Sequence, residues 1–101
     1  MIIALDAMGG DNAPEAVVQG AIQALSESPD DLSIVLLGDE NTIDTVLDGF
    51  ISPRLSIIHT TQIVGMHDRA SKALKTKPDS SLVRGIQMVT NKEANAFVSA
   101  G

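Results

Sequence analysis

The sequence has no cysteine, no tryptophan and no tyrosine, and only two phenylalanines. Without cysteine there is no disulfide, no thiolate metal site and no cysteine nucleophile. Without a set of aromatic rings there is no platform for stacking bases and no aromatic-rich docking surface. The two histidines, His59 and His67, are too few for a histidine-based metal centre. Seven basic residues face thirteen acidic ones, a net charge of −6. That balance disfavours general binding of nucleic acid or anionic lipid. No apolar run approaches the ~20 residues of a membrane span. The first residues lack the basic segment and small-residue cleavage site of a signal peptide. These absences predict a soluble chain in a reducing, cytoplasmic setting, with no metal and no nucleic-acid partner.

What is present is aliphatic. Hydrophobic residues make up 44% of the 101 residues, enough for one small domain with a core of Ile, Leu, Val, Ala and Met. Residues 1–5 form a short apolar run read as a buried strand. Gly9-Gly10-Asp11-Asn12 reads as a turn. Pro14 suits the first position of a helix running to about Ser26, with Val17, Val18, Ala21, Ile22 and Leu25 on one face. Residues 32–37 are apolar on both faces, as in a parallel sheet covered by helices. Asp39 or Asn41 can cap a short helix carrying Ile43, Val46 and Leu47, closed near Gly49. A third strand is predicted over 55–59, a loop over 60–68, a short helix from Arg69 to about Thr76, and another helix after Pro78-Asp79-Ser80. Residues 96–99 form a fourth strand. The alternation predicts an α/β fold, a mainly parallel sheet with flanking helices and right-handed crossovers.

The segment after the first strand carries the chemistry. An apolar strand runs through Asp6 into Gly9-Gly10 and then a helix. Glycines let the backbone approach a ligand closely, and free N–H groups at a helix start can hold phosphate oxygens. The spacing is neither the dinucleotide pattern G-x-G-x-x-G nor the P-loop G-x-x-x-x-G-K-[ST], so no nucleotide cofactor is expected. A plain tight turn capped by Asp11 or Asn12 explains the same residues. Asp6 and Asp11 are the candidate catalytic carboxylates. Each would repel a bound phosphate, so the expected role is to orient a donor or to accept a phosphate proton.

Residues 3–11, Ile-Ala-Leu-Asp-Ala-Met-Gly-Gly-Asp, closely resemble the opening of the phosphate acyltransferase family of fatty acid and phospholipid synthesis. Further pieces follow in the family's order: Ala13-Pro14-Glu15, Leu36-Leu37-Gly38-Asp39, Ser56-Ile57-Ile58-His59, Asp79-Ser80-Ser81-Leu82 and Val98-Ser99-Ala100-Gly101. The resemblance implies transfer of a fatty acyl group from acyl carrier protein to inorganic phosphate, without a cofactor. It also implies a homodimer with an isocitrate/isopropylmalate-dehydrogenase-like sheet, and peripheral membrane association through the membrane acyltransferase that uses the acyl phosphate. Members are about three times this long, and Ser-Ala-Gly is followed in them by Asn-Thr-Gly. Residues 1–101 are therefore expected to be one α/β domain, the N-terminal fragment of a longer enzyme. The chain departs from the family at His67-Asp68-Arg69-Ala70, where an acidic pair followed by Lys-Pro is common.

With the family in view, Gly9, Gly10, Ser80, Ser81, Ser99 and Gly101 are the candidate phosphate or substrate ligands. Ser80 also reads as an ordinary helix cap. Arg69, Lys72, Lys75 and Lys77 gather four of the seven basic residues. They read either as a solvated face or as a docking patch for an acidic protein. Two competing functions remain at this level: a noncatalytic α/β module that docks an acidic partner, and a phosphotransacetylase-like enzyme using coenzyme A.

Overall fold

Near-continuous aliphatic runs make the two central strands of a four-stranded sheet. In the computed structural model, which describes residues 1–65 and 68–100, these are β1 (Ile2–Asp6) and β2 (Ser33–Gly38). β3 (Leu55–His59) and β4 (Ala96–Val98) flank them. The order is β3-β2-β1-β4, and every pairing is parallel. The helices are α1 (Glu15–Glu27), α2 (Glu40–Leu47), α3 (Ala70–Thr76) and α4 (Ser81–Thr90). The α/β character and the parallel sheet expected from the sequence are both present.

The period of two along a strand sorts each side chain to one of two cores. Ile34 and Leu36 join Val18, Ala21, Leu25 and Ile43 beneath α1 and α2. Leu37 joins Ala4 and Met88 beneath α4, with Val35 and Phe97 packed against them. Fully buried Leu36, Leu37 and Ile43 each contribute roughly 1.5–3 kcal/mol through removal from water. Arg54, just before β3, donates to the carbonyls of Pro29 at 2.7 Å and of Leu25, fastening the C-terminal end of α1. The Leu25 carbonyl lies in the last turn of α1, at the negative end of the helix dipole, so a cation suits it.

Several boundaries differ from the sequence expectation. α1 begins at Glu15, with Pro14 at its N-cap, and no side chain caps it. A turn over 11–14 separates Gly9-Gly10 from that helix, so neither Asp11 nor Asn12 acts as a side-chain cap. α2 is capped by Asp39, which accepts from the Thr42 N–H. Its C-cap is Asp48 in the left-handed region, one residue before Gly49. Arg69 is the N-cap of α3 rather than its first helical residue. His67 and Gly101 lie outside the described residues.

The connections define a crevice. β1 leads through α1 to β2, and β2 through α2 to β3, on one face. The return from β3 passes through α4 on the other face to β4, beyond β1. The connection leaving β1 crosses the α1 face to β2, while the connection entering β4 crosses the α4 face, so the strand order reverses between β1 and β4. That is the point at which open α/β sheets bind ligands.

Candidate functional site

Strand parity places three polar residues at this crevice. Asp6 is two residues beyond Ala4, which lies under α4. It therefore emerges on the α4 face. Phe97 pairs with Ala4 and lies on the same face, so Ser99, two residues on, does too. Ser81, the first residue of α4, meets them from above.

The Asp6 carboxyl is the hub. Its Oδ1 accepts from the Ser81 hydroxyl at 2.5 Å and from the Met8 N–H at 2.9 Å. Its Oδ2 accepts from the Ser99 hydroxyl at 2.8 Å. Asp6 is 6% exposed and Ser81 3%. Three chain segments thus converge on one buried side chain: the turn after β1, the start of α4 and the end of β4.

Gly10 lines the crevice with φ = +91°, a conformation L side chains rarely adopt. A Cβ there would lie 3.2 Å from the Ala100 Cβ, so the glycine turn sits against the segment that follows β4. The N–H groups of Gly9 and Gly10 have no protein partner among the described residues. Nor has the Ser81 N–H, which belongs to the N-terminal turn of α4.

The other sequence candidates fall elsewhere. Ser80 is fully buried, and its hydroxyl oxygen caps α4 by accepting from the Val83 N–H at 3.2 Å. Asp11 is exposed and lines a separate open groove of about 780 Å³ with Glu15, Thr42 and Thr45, between the 11–14 turn and α2. That groove does not include Asp6, Ser81 or Ser99. Lys72 and Lys75 lie three residues apart on α3, and both are exposed, as is Arg69. Lys77 is committed: its Nζ donates to Asp68 Oδ2 and to the Ile63 carbonyl, both at 2.7 Å. His59 is exposed, and its Nδ1 accepts the Glu40 N–H at 3.1 Å. No metal-binding cluster occurs among the described residues, and no described helix is long and apolar enough to cross a membrane.

Sequence reasoning missed the clasp that holds the start of α4. Asp79 accepts from the Thr61 hydroxyl at 2.6 Å and from Arg84 at 2.8 Å. The Thr61 hydroxyl, followed by Arg84, holds the Asp79 carboxyl below the usual aspartate range. The Lys77 ammonium, followed by the Gly65 N–H, does the same for Asp68. Both groups therefore contribute stability that is complete above about pH 4, the unfolded value, and is lost as pH falls through their lower folded values. Urea midpoints measured from pH 5 down to pH 3 are expected to fall, and to fall less steeply in Asp79→Asn. An identical slope in that variant would remove Asp79 from the account.

Comparison with known proteins places this arrangement in context. The family model described as fatty acid synthesis protein matches residues 1–101. A phosphate acyltransferase of Acetivibrio thermocellus is 44% identical over the whole chain. Those of Salinibacter ruber and Streptococcus thermophilus are each 46% identical, over 98% and 99% of the chain. The chain spans about 30% of the length of these curated relatives.

Proposed function

The chain belongs to the fatty acid synthesis protein family, and from that premise we propose that it supplies the phosphate-holding part of an acyltransferase. The reaction moves a fatty acyl group from acyl carrier protein to inorganic phosphate, giving an acyl phosphate for phospholipid synthesis. The observation that supports this reading is the C-terminal end of β1 beside β4, where Gly10 packs against Ala100 and the Gly9 and Gly10 N–H groups have no partner among the described residues.

The chemistry asks little of the side chains. A phosphate oxygen attacks the thioester carbonyl carbon, the C–S bond breaks, and the carrier thiolate leaves. Phosphate is itself the nucleophile, so no covalent enzyme residue is needed. The tasks are to hold phosphate near the thioester and to stabilise the oxyanion. Gly9 and Gly10, with the start of α4, suit the first task. Asp6 acts as a positioning residue because its acceptor oxygens are engaged by Ser81, Ser99 and Met8. Asp11, on the far groove, is left outside this role.

The acidic carrier protein would dock on Arg69, Lys72 and Lys75, with Lys77 bracing the loop beneath them through Asp68. We extend the proposal to a cytoplasmic homodimer with an isocitrate-dehydrogenase-like sheet and peripheral membrane association. Acyl phosphate formation from acyl carrier protein and inorganic phosphate by the full-length protein tests the reaction. Gly10→Val places a branched side chain at positive φ against Ala100, and is expected to lower the rate at least about tenfold. Undiminished activity in that variant would reject the glycine cradle.

A further inference from the structure

We infer that the groove between the 11–14 turn and α2 is a binding site for a neutral chain of methylenes and amides, the class to which the thioester arm of an acyl carrier protein belongs. The inference rests on the acyl-transfer reading above and gives the acyl donor a place in it. The groove measures about 780 Å³, within the range of sites that take small organic ligands. One wall is the 11–14 turn with the first turns of α1, and the other is α2.

The lining decides the class of ligand. Asp11 and Glu15 are the charged groups on it, and no basic residue lines it. A phosphate or a carboxylate would meet like charge with nothing to offset it. What the groove offers instead is amide and hydrocarbon. Asn12, Gln19 and Asn41 are exposed on its walls, and their side-chain amides have no hydrogen-bond partner among the described residues. Each amide supplies donors and an acceptor together, which is what an amide in a ligand requires. The hydroxyls are less available. Thr42 donates to Asp39, and Thr45 donates to the Asn41 carbonyl at 2.9 Å. Ala13, Pro14 and Val46, all half-buried, line the same groove and suit methylenes. A simple cation would leave these amides and apolar residues unused.

The position fits a donor as well. Asp11 directly follows Gly10, and Asn41 and Thr42 lie in the first turn of α2, just past β2. The groove is therefore at the C-terminal end of the parallel strands, the end that binds ligands in such sheets. An arm lying in it has its thioester on the same edge of the sheet as the glycine turn, with no strand to cross.

The probe is pantetheine, which carries the arm's amides and thiol but neither phosphate nor protein. Saturation-transfer NMR with the full-length protein gives its dissociation constant. Gln19→Ala, at an exposed helical position that alanine suits, is expected to weaken binding about fivefold by removing one hydrogen bond. Ala16→Trp puts a large ring into the groove from the exposed side of α1, and is expected to weaken it at least about tenfold by obstruction. In the transfer reaction the KM for the acyl carrier thioester should rise in each variant, with kcat and the KM for phosphate held within about twofold, the mark of lost donor binding. No saturable pantetheine binding by a wild-type protein that forms acyl phosphate would overturn the groove and leave the transfer reading intact. Binding that neither variant weakens would put the arm elsewhere and overturn it equally. Binding that both variants weaken, in a protein that forms no acyl phosphate, would uphold the groove and sink the transfer reading.

Discussion

Asp6→Ala is expected to destabilise the folded protein by about 3–5 kcal/mol, because hydrogen bonds to charged groups contribute roughly 1.5–3 kcal/mol each and are not additive. The substitution strands the Ser81 hydroxyl, in a residue 3% exposed, without its acceptor. It also frees the Met8 N–H and the Ser99 hydroxyl from their partner. The loss is a large share of the roughly 5–15 kcal/mol that holds a domain together. Asp6→Asn keeps the volume and one acceptor oxygen, so about half the effect is expected, since one acceptor can still serve one hydroxyl. Urea unfolding midpoints measure both. The rate of acyl phosphate formation should fall at least about a hundredfold in either variant, since small misplacements of a positioned reactant carry penalties of that size. A change under about 1 kcal/mol in Asp6→Ala would mean that the hub does not hold the three segments together.

The second large effect is expected at Gly85. The ring of Phe97 lies directly on this glycine of α4. A Cβ at that position would overlap the ring's Cδ1 and Cε1 and come within 2.7 Å of its Cζ. Overpacking of this kind costs about 1–3 kcal/mol, and a branched side chain stands at the upper end. Gly85→Val is therefore expected to destabilise the protein by about 3 kcal/mol, against less than ~1 kcal/mol regained in helix propensity. Pairing it with Phe97→Ala tests the cause. In that background the collision is gone, and Gly85→Val should cost less than about 1 kcal/mol, a coupling of the size that contacting residues show. Equal costs in the two backgrounds would assign the effect to the helix alone.

The elements could be read from the sequence because their signals are local. Ile-Ile-Ala-Leu and Ile-Val-Leu-Leu are apolar on both faces, and burial on both faces is where they are found. Asp39 or Asn41 reads as the cap of α2, and Asp39 fills that position. The turn expected over 9–12 runs on to residue 14, because Pro14 fits an N-cap as well as a first helical position. The site was legible only in pieces. Asp6, Ser81 and Ser99 were each singled out, but no periodicity reports that one carboxyl binds both hydroxyls. That fact depends on sheet order and register, which bring Phe97 beside Ala4 and α4 over both. Lys77 looked like a fourth member of a basic patch, and only three-dimensional placement shows it paired with Asp68.

The separation of the Asp6 partners also sets the order in which the molecule can mature. Synthesis supplies Asp6 almost at once, yet its two hydroxyl partners follow 75 and 93 residues later. Contacts that far apart close late, since the intervening chain must first be ordered. At about 5–20 residues per second, a nascent chain carries β1 and its carboxyl for several seconds before β4 emerges. During that interval β2 can already pair with β1, while the cluster around Asp6 lacks both serines. The Asp6 hub is thus complete only once Ser99 has followed β4 out.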